Sequence, residues 1–386
     1  MIQSTALIET VIASRQYRQE MRNAKTKKVI VGMSGGVDSS VAAYLLKKQN
    51  FEVEGLFMKN WEEDDNTDFC TAKEDLADAE RVCDKLNIKL HVANFVAEYW
   101  DSVFEEFIAE YAKGGTPNPD VLCNREIKFN HFLDYSLALG SDYVATGHYA
   151  KLHRNAKSYQ LLKAKDSSKD QTYFLQQVPK KKFANCLFPL GDLLKTEVRD
   201  IAESLRFDNS KKKDSTGICF IGERRFDHFI STYISDKPGK VIDSSGTRLG
   251  THNGLHLYTI GQRKGINIGG LKNRPEVPWY VVDKIMQSNS LVVSQCEQDL
   301  MGNWLRISEM NWLEAAEIPG EFQAKIRYRQ PDQTCKLQKA ANGDLLIQFT
   351  KPQRAISKGQ FAALYREETL IGGGRIVASG GSDHQH

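Results

Sequence analysis

The sequence predicts an α/β domain with a doubly wound parallel sheet, followed by a small β-rich linking domain and a C-terminal β-barrel. Strand-length apolar runs alternate with helical patterns from residue 28 to about residue 146, which is typical of a parallel sheet. A loop rich in glycine and serine joins the first strand to the first helix. After about residue 222, short alternating strands separated by Gly, Asn and Pro turns indicate all-β structure.

The length of 386 residues suggests two to three domains at about 150 residues per domain. Lys and Arg (52) nearly balance Asp and Glu (49), which excludes a strongly basic, tail-driven nucleic-acid binder but leaves a local basic face open. No apolar run reaches the roughly 18 residues of a membrane helix, and the N-terminus lacks the pattern of a signal peptide. Seven scattered cysteines without a C-x-x-C pair favour a reducing cytoplasm and indicate no metal site built from protein ligands.

The secondary structure follows from these patterns in chain order. The predicted α/β elements are the strand Lys28–Met33, the helix Ser39–Lys47, the strand Val53–Met58, the helix Leu76–Leu86, the strand Lys89–Ala93, the helices Val103–Ala112 and Phe129–Leu139, and the strand Tyr143–Thr146. Further strands are predicted at Leu255–Ile260, Trp279–Lys284, Ser290–Ser294 and Leu345–Phe349. The predicted domain limits are an extension at 1–27, the α/β domain at 28–222, the β-rich domain at 223–283, the barrel at 284–377 and a disordered tail at 378–386.

The loop after the first strand has the composition of a phosphate-binding site. It comprises Gly32, Met33, Ser34, Gly35, Gly36, Val37, Asp38 and Ser39. Glycines let the backbone approach an anion, and a helix N-terminus offers unpaired N–H donors. No lysine occupies the position that a Walker A loop requires. A plain tight turn capped by Asp38 is the alternative, but Ser-Gly-Gly-x-Asp-Ser between a strand and a helix favours phosphate binding.

This loop resembles the pyrophosphate loop of ATP-cleaving, AMP-forming enzymes. In those enzymes ATP activates a carbonyl oxygen as an adenylate, which converts a poor leaving group into AMP. The resemblance implies that Asp38 lies near the magnesium ion bound to ATP.

A cysteine follows a helix start at residues 116–129. Asn118 is a candidate N-cap and Pro119 the first helical residue, which places Asp120 in the first turn and Cys123 one turn later. The helix dipole lowers the pKa of the Cys123 thiol, whereas the Asp120 carboxylate raises it. Asp120 could instead act as a general acid or base. A buried structural cysteine is an equal alternative on these residues alone.

A second cysteine, Cys219, lies in KKKDSTGICFIG, between two glycines and after a basic run. The pattern fits a loop that carries a thiol into a cleft. A buried strand at Ile218–Ile221 is the slightly favoured alternative without other evidence. The other five cysteines fit structural positions, and Cys70 is the least certain of them.

Taken together, these motifs resemble the bacterial tRNA-specific 2-thiouridylase (MnmA) family. The matching stretches are Val29–Ser40, Gly55–Asp65, Thr116–Phe129, Ala145–Tyr149, Lys169–Tyr173, Lys211–Arg224, Tyr258–Gly270 and Lys325–Gln330. They extend over most of residues 28–375, and the pairing of NPDxxCN with STGxCFIG is far more specific than the phosphate loop alone. Residues 1–27 are not covered.

The resemblance implies an ATP-dependent sulfurtransferase that inserts sulfur at C2 of the wobble uridine (position 34) in tRNAs for Lys, Glu and Gln. It implies that residues 32–39 hold ATP phosphates, and that Met58 and Gly147 bracket the adenosine. Cys219 carries a persulfide, Cys123 is the second catalytic thiol, and Asp120 is the acid or base. The resemblance also implies a transient Cys123–Cys219 disulfide, and it leaves open whether the persulfide sulfur attacks C2 directly or Cys123 first releases it as free hydrosulfide.

The same resemblance implies the RNA contacts and partners. The residues implied at the target base or tRNA are Asn118, Pro119, Asp120, His148, Lys169, Asp170, Gln171, Arg327, Tyr328 and Gln360. The β-rich domain is likewise implied to contact tRNA. ATP with Mg²⁺ is the implied cofactor, and a sulfur-relay protein or a cysteine desulfurase is the implied sulfur donor. The spacing of Cys123 and Cys219 does not indicate an iron–sulfur cluster, although it leaves one open.

Two other functions remain possible from the sequence. One is a small-molecule synthetase of the same AMP-forming class that amidates or ligates a carbonyl substrate. The other is a non-catalytic, nucleotide-sensing RNA-binding module. The paired cysteine motifs argue against both, because neither function needs two thiols.

Overall fold

The computed structural model describes residues 26–62, 72–155, 158–214, 226–268 and 275–381. Its first part is a five-stranded, fully parallel sheet with the strand order β3-β2-β1-β4-β7. The strands are β1 (Lys28–Met33), β2 (Glu52–Lys59), β3 (Leu90–Asn94), β4 (Tyr143–Ala145) and β7 (Cys186–Leu187). The strand order reverses between β1 and β4, and ligands of open α/β sheets bind beyond the carboxyl ends at such a point.

Helices cover both faces of this sheet, which explains the continuous apolar run in β1. Ile30 belongs to one buried apolar cluster, whereas Val29, Val31 and Met33 belong to the other. The α-helices of the domain are α1 (Val37–Lys48), α2 (Ala72–Leu86), α3 (Val96–Tyr99), α4 (Glu105–Ala112), α5 (Pro119–Leu122), α6 (Phe132–Ala138), α7 (Thr172–Leu175) and α8 (Lys195–Ser204). Wider π-helical turns at Trp100–Phe104 and Cys123–His131 join α3 to α4 and α5 to α6. Short 3₁₀ turns lie at Lys180–Asn185 and Asp208–Lys211.

The next part of the chain begins with α9 (Phe226–Ser231) and forms a separate sheet with the order β10-β11-β8-β9. Its strands are β8 (Gly239–Asp243), β9 (Arg248–His252), β10 (Tyr280–Ile285) and β11 (Ser290–Ser294). Val241, Val281 and Leu291 form the centre of a small apolar core, so this module has an interior of its own.

The last part is a barrel of six antiparallel strands. The strands are β12 (Met301–Trp312), β13 (Gly320–Lys325), β14 (Gln333–Lys339), β15 (Leu345–Arg354), β16 (Phe361–Arg366) and β17 (Thr369–Gly380). Pairing of β12 with both β15 and β17 closes the ring. Closure leaves no unpaired edge among these strands.

The α/β domain is tied to the barrel. Its hairpin, β5 (Lys151–Arg154) and β6 (Tyr159–Leu162), extends the barrel sheet where Leu162 pairs with Thr369 of β17. The buried Tyr173 hydroxyl donates to the carbonyl oxygen of Phe361 at 3.0 Å. The two domains therefore share both a sheet and a buried polar contact.

The predicted architecture is confirmed, with one wrong element and several shifted boundaries. Leu255–Ile260 is not a strand: the structure has a 3₁₀ turn at Leu255–Leu257. Its apolar side chains contact the core of the second module without ladder pairing, so packing alone produced the alternating pattern. The helix predicted at Phe129–Leu139 is the last part of a helical stretch that begins at Pro119.

Two observed strands extend beyond the predicted domain limits. Strand β11 pairs with β8 in the second module, although that domain was placed at 223–283. Strand β17 continues to Gly380, within the predicted tail. The predicted extension lies almost wholly outside the described residues, as do Cys70 and positions 382–386. None of the helices in the described part of the chain is long and apolar enough to cross a bilayer.

Candidate active site

The phosphate loop lies between β1 and α1, at the point where the strand order reverses. Ser39 Oγ donates to the carbonyl of Gly36 at 3.1 Å and accepts from the backbone N–H of Ser34 at 3.2 Å. Ser40 Oγ donates to the same Gly36 carbonyl at 2.8 Å. The turn is therefore fixed by short-range bonds, and the helix N-terminus follows it directly, as phosphate binding requires.

Gly35 is required at its position for two reasons. Its φ of +71° lies in the left-handed region that favours glycine. A Cβ at this position would also lie 2.3 Å from the backbone oxygen of Asp75 in α2. The loop thus fits closely against the neighbouring helix α2.

Lys195 links the phosphate loop to a more distant part of the domain. Its ammonium group donates to the two carboxylate oxygens of Asp38 at 2.7 and 2.9 Å and contacts Asp214 at 2.8 Å. The Tyr149 hydroxyl donates to the same Asp38 carboxylate at 3.0 Å. Asp38 therefore holds a lysine and a tyrosine at the loop, and binding magnesium would require it to exchange one of these partners.

Asp214 is the second carboxylate of this network. Burial opposes its charge, but hydrogen bonds from Lys169 and Lys195 more than compensate and lower the pKa of Asp214 to about 2. Arg199 adds a contact at 3.0 Å. Three cations thus surround one carboxylate just before the segment that contains Cys219, which itself lies outside the described residues.

The residues 119–138, which we call the Cys123 helix, carry the other predicted catalytic groups. Asn118 is the N-cap, as predicted: its Oδ1 accepts from the backbone N–H of Val121 at 3.2 Å, and Pro119 is the first helical residue. Asp120 is partly exposed in the first turn, whereas Cys123 is fully buried. Asn124 donates to the backbone oxygen of Asp120 at 2.9 Å.

The Cys123 helix is widened immediately after its first turn. The π-helical segment begins at Cys123, and Phe129 has non-helical dihedral angles (φ −106°, ψ 18°). Such insertions are frequent at functional sites. The helix lies against the phosphate-loop strand, since a Cβ on Gly32 would be 3.3 Å from the Phe132 ring. The Cys123 helix therefore borders the strand that leads into the loop.

Met58 and Gly147, the two residues implied to bracket the adenosine, both lie near the phosphate loop. The Met58 methyl group lies 3.7 Å from a Cβ built on Gly32, so it is adjacent to the loop strand. Gly147 follows β4 and faces the start of α1, because a Cβ there would lie 2.9 Å from Ser39 N. Both positions are beside the carboxyl end of β1.

His148 is buried next to this region. Its Nδ1 is hydrogen-bonded to Thr146 Oγ1 at 2.8 Å, and its ring lies 5.7 Å from that of Phe129. Burial, followed by the charge of Lys128, holds the pKa of His148 well below its usual value. The imidazole is therefore neutral near pH 7 and can offer hydrogen bonds without charge.

The residues predicted to contact tRNA lie mainly at the junction with the barrel. Lys169 is bonded to Asp214 at 2.5 Å, and Asp170 is buried, accepting from Thr172 Oγ1 at 2.8 Å. Gln171 accepts from the backbone N–H of Tyr149 at 2.9 Å. The charged groups of Lys169 and Asp170 and the side-chain oxygen of Gln171 thus have partners within the protein.

The predicted barrel residues are placed similarly. Arg327 donates to the backbone oxygens of Arg354 and Ala355. The Tyr328 ring lies 4.6 Å from that of Phe174. Gln360 contacts the segment before Cys123, as described below.

Sequence reasoning missed several residues of the site. Lys195 and Tyr149 bind Asp38, and Asn209 donates to the carbonyl of Gly35 at 2.9 Å. They lie 111 to 174 positions from their partners, so local spacing gave no signal for them. Among the described residues, no cluster of three or more His, Cys, Asp or Glu side chains could hold a metal ion.

A phosphate loop at the switch point of a parallel sheet defines an adenine-nucleotide-binding α/β protein. Family models agree with the three-part division: a tRNA methyl transferase HUP domain matches residues 27–223, a tRNA methyl transferase PRC-barrel domain 227–295, and an aminomethyltransferase β-barrel domain 303–376. The tRNA-specific 2-thiouridylase MnmA of Pseudomonas entomophila (strain L48) is 54% identical over 357 residues, which cover 92% of this chain and 95% of that protein.

The corresponding enzyme of Hahella chejuensis (strain KCTC 2396) is 52% identical and is covered over 99% of its length. The chain belongs to the tRNA-specific 2-thiouridylase (MnmA) family. Among solved structures, the NH3-dependent NAD synthetase of Campylobacter jejuni subsp. jejuni NCTC 11168 is 20% identical, with a TM-score of 0.34, over 55% of this chain and 79% of that chain.

Proposed function

We propose that this protein uses ATP to replace O2 of the wobble uridine (position 34) by sulfur in tRNAs for Lys, Glu and Gln. The observation that carries this proposal is that Phe132 of the Cys123 helix lies against Gly32 near the carboxyl end of β1, so the helix that bears Cys123 borders the strand leading into the phosphate loop. An adenylating site beside a thiol suits sulfur transfer to an activated carbonyl carbon. Near full-length similarity to MnmA proteins supports the same reaction.

The phosphate loop is suited to hold ATP. The N-terminus of α1 follows it directly and offers N–H donors, and Lys195 supplies a nearby positive charge. Magnesium enters with ATP in this proposal, since the described residues offer no cluster of ligands for it. When bound, the ion would neutralise charge on the phosphates. Asp38, which is part of the loop, is the carboxylate that could reach the ion.

The proposed reaction proceeds in three steps. Uracil O2 attacks the α-phosphate of ATP, which releases pyrophosphate and leaves an adenylated C2. The terminal sulfur of a Cys219 persulfide then attacks C2, and AMP leaves. The Cys123 thiolate attacks Sγ of Cys219, which releases 2-thiouridine and forms a Cys123–Cys219 disulfide. A reductant reopens it, and a sulfur-relay protein or cysteine desulfurase restores the persulfide.

Asp120 and His148 have complementary parts in this scheme. Asp120 lies in the first turn of the Cys123 helix, partly exposed, where it could take the proton of the target base. His148, neutral and buried, could contact the base together with Asn118 and Pro119. Lys169, Arg327 and Tyr328 remain proposed tRNA contacts, and the two cations would first exchange their protein partners. The reaction is assigned to the cytoplasm, where tRNA is found.

The test compares tRNA nucleosides from cells that lack the gene with cells that carry the wild type, Cys123→Ser or Cys296→Ser. Cys296 is exposed beyond β11 and serves as the control thiol. We expect 2-thiouridine at position 34 with the wild type and with Cys296→Ser, but not with Cys123→Ser. Undiminished 2-thiouridine in Cys123→Ser would contradict the thiol's role.

A reaction in vitro separates the steps. We expect Cys123→Ser and Cys219→Ser to form the adenylate in the presence of tRNA, because activation precedes sulfur transfer, but to make no 2-thiouridine. A single turnover of the persulfurated wild type without reductant should leave the Cys123–Cys219 disulfide, detected by peptide mass mapping. AMP formation that needs no tRNA but requires a small amine or acid would instead support a small-molecule synthetase.

A further inference from the structure

The β-barrel binds the short loop that leads into the Cys123 helix. Gln360 Nε2 donates to the backbone oxygen of Thr116 at 2.9 Å and to that of Pro117 at 3.1 Å. Gln360 Oε1 accepts from Asn118 Nδ2 at 3.2 Å. One amide of the barrel therefore bonds to three consecutive residues of the α/β domain.

The contact with Asn118 matters because Asn118 caps the helix. Its Oδ1 accepts from the N–H of Val121, while its Nδ2 donates to Gln360. If the Asn118 amide turned over, an NH₂ group would face the N–H of Val121 and the cap would be lost. Gln360 thus selects the orientation of Asn118 in which the first turn is closed.

The barrel turn fits closely against this loop. The backbone N–H of Thr116 donates to the oxygen of Lys358 at 2.8 Å. Gly359 has a φ of +87°, and a Cβ there would lie 2.9 Å from the nitrogen of Thr116. The approach of the two backbones therefore leaves little space for the loop to shift.

We propose that Gln360 is a positioning residue for thiolation, which acts through Asn118 to hold the first turn of the Cys123 helix, and with it Asp120 and Cys123, in place. The proposal rests on the function proposed above and replaces a direct tRNA contact of Gln360. Both hydrogens of its amide nitrogen are directed at protein carbonyls, and its oxygen is occupied by Asn118. If the Gln360 amide bound tRNA instead, it would lose its hydrogen bond to Asn118 and would no longer support the helix cap.

The test uses Gln360→Met, which keeps the shape but loses all three bonds. Its control is Asn311→Leu, because Asn311 Nδ2 donates to the oxygens of Gln176 at 2.8 Å and Val178 at 2.9 Å elsewhere in the same interface. We expect Gln360→Met to slow single-turnover thiolation at saturating tRNA by about tenfold or more, with the Kd for tRNA within about twofold. Asn311→Leu should change neither quantity.

Amide hydrogen exchange supplies a readout that does not depend on activity. Exchange across residues 116–122 should be faster in Gln360→Met than in the wild type or Asn311→Leu. A higher Kd with an unchanged saturated rate would overturn the proposal in favour of a tRNA contact. Equal slowing by both variants, or unchanged exchange, would also overturn it. A wild type that makes no 2-thiouridine would refute the proposed function, while the exchange experiment would still decide whether Gln360 holds the helix.

Discussion

The phosphate loop and the Cys123 helix lie side by side, but they are held in place differently. The loop is fixed by bonds within the α/β domain, some between residues up to five positions apart and others from Lys195, Tyr149 and Asn209. The start of the Cys123 helix is fixed by the barrel through Gln360 and Lys358. The second module also contacts the preceding loop, since Lys284 donates to the backbone oxygen of Gly114 at 3.0 Å.

This difference indicates how the two half-reactions depend on the rest of the molecule. Nucleotide binding uses geometry that the α/β domain supplies by itself. Correct placement of Asp120 and Cys123 depends on all three parts of the chain. We therefore expect changes in the barrel to affect sulfur transfer more than ATP binding, and changes around the loop to do the opposite.

Replacing Lys195 should have the largest effect on the loop side. Lys195→Met removes the cation that binds Asp38 and Asp214, so we expect tRNA-dependent AMP formation to fall by about a hundredfold or more. Pyrophosphate release measures this directly. Lys165→Met is the matched control, because the exposed ammonium group of Lys165 bonds only Glu197 among the described residues. Equal activity in the two variants would contradict a role for Lys195 at the phosphates.

A substitution in the loop itself tests how tightly it fits. Gly35→Ala combines a positive φ with a Cβ 2.3 Å from the Asp75 backbone, and should lower the free energy of unfolding by on the order of 3 kcal/mol. Gly246→Ala is the control: its φ is +86°, yet nothing lies within 4 Å of the added carbon. It should cost about 1 kcal/mol. Thermal unfolding compares the two variants. Equal losses in the free energy of unfolding would show that the backbone at Asp75 in α2 shifts readily to accommodate the added carbon.

The sequence was sufficient for the local part of the site. Strand β1 has its predicted limits, and Asn118 caps the helix whose first residue is Pro119. Both depend on residues within a few positions of each other, where periodicity and capping chemistry are informative. Asp38 was recognised from the same local pattern.

The long-range part could not be predicted. Lys195 lies 157 positions from Asp38, and Gln360 lies 242 positions from Asn118, so only the folded chain brings them together. The mistaken strand at Leu255–Ile260 has a related cause, because its apolar residues contact a core that the local pattern does not specify. Asp170 shows the same limit: the family resemblance implied a tRNA contact for it, and no local pattern indicated that the fold buries it beside Thr172.

Lys284 offers the smallest and most specific test of the contact with the second module. Burial lowers the pKa of Lys284 from 10.5 to about 8. Between these values the unfolded chain binds more protons than the folded one, so this group makes the free energy of unfolding rise with pH. In Lys284→Met that contribution is absent. The stability of the wild type relative to the variant should therefore increase from pH 7.5 to pH 10, by on the order of 1 kcal/mol after allowing for solvent screening.

Thermal unfolding at the two pH values measures this increase. The control is Lys240→Met, which removes an exposed lysine from β8. If the stability of the wild type rose with pH by the same amount relative to both variants, the titrating group would not be Lys284. The contact with Gly114 would then not disfavour the charged form of this lysine.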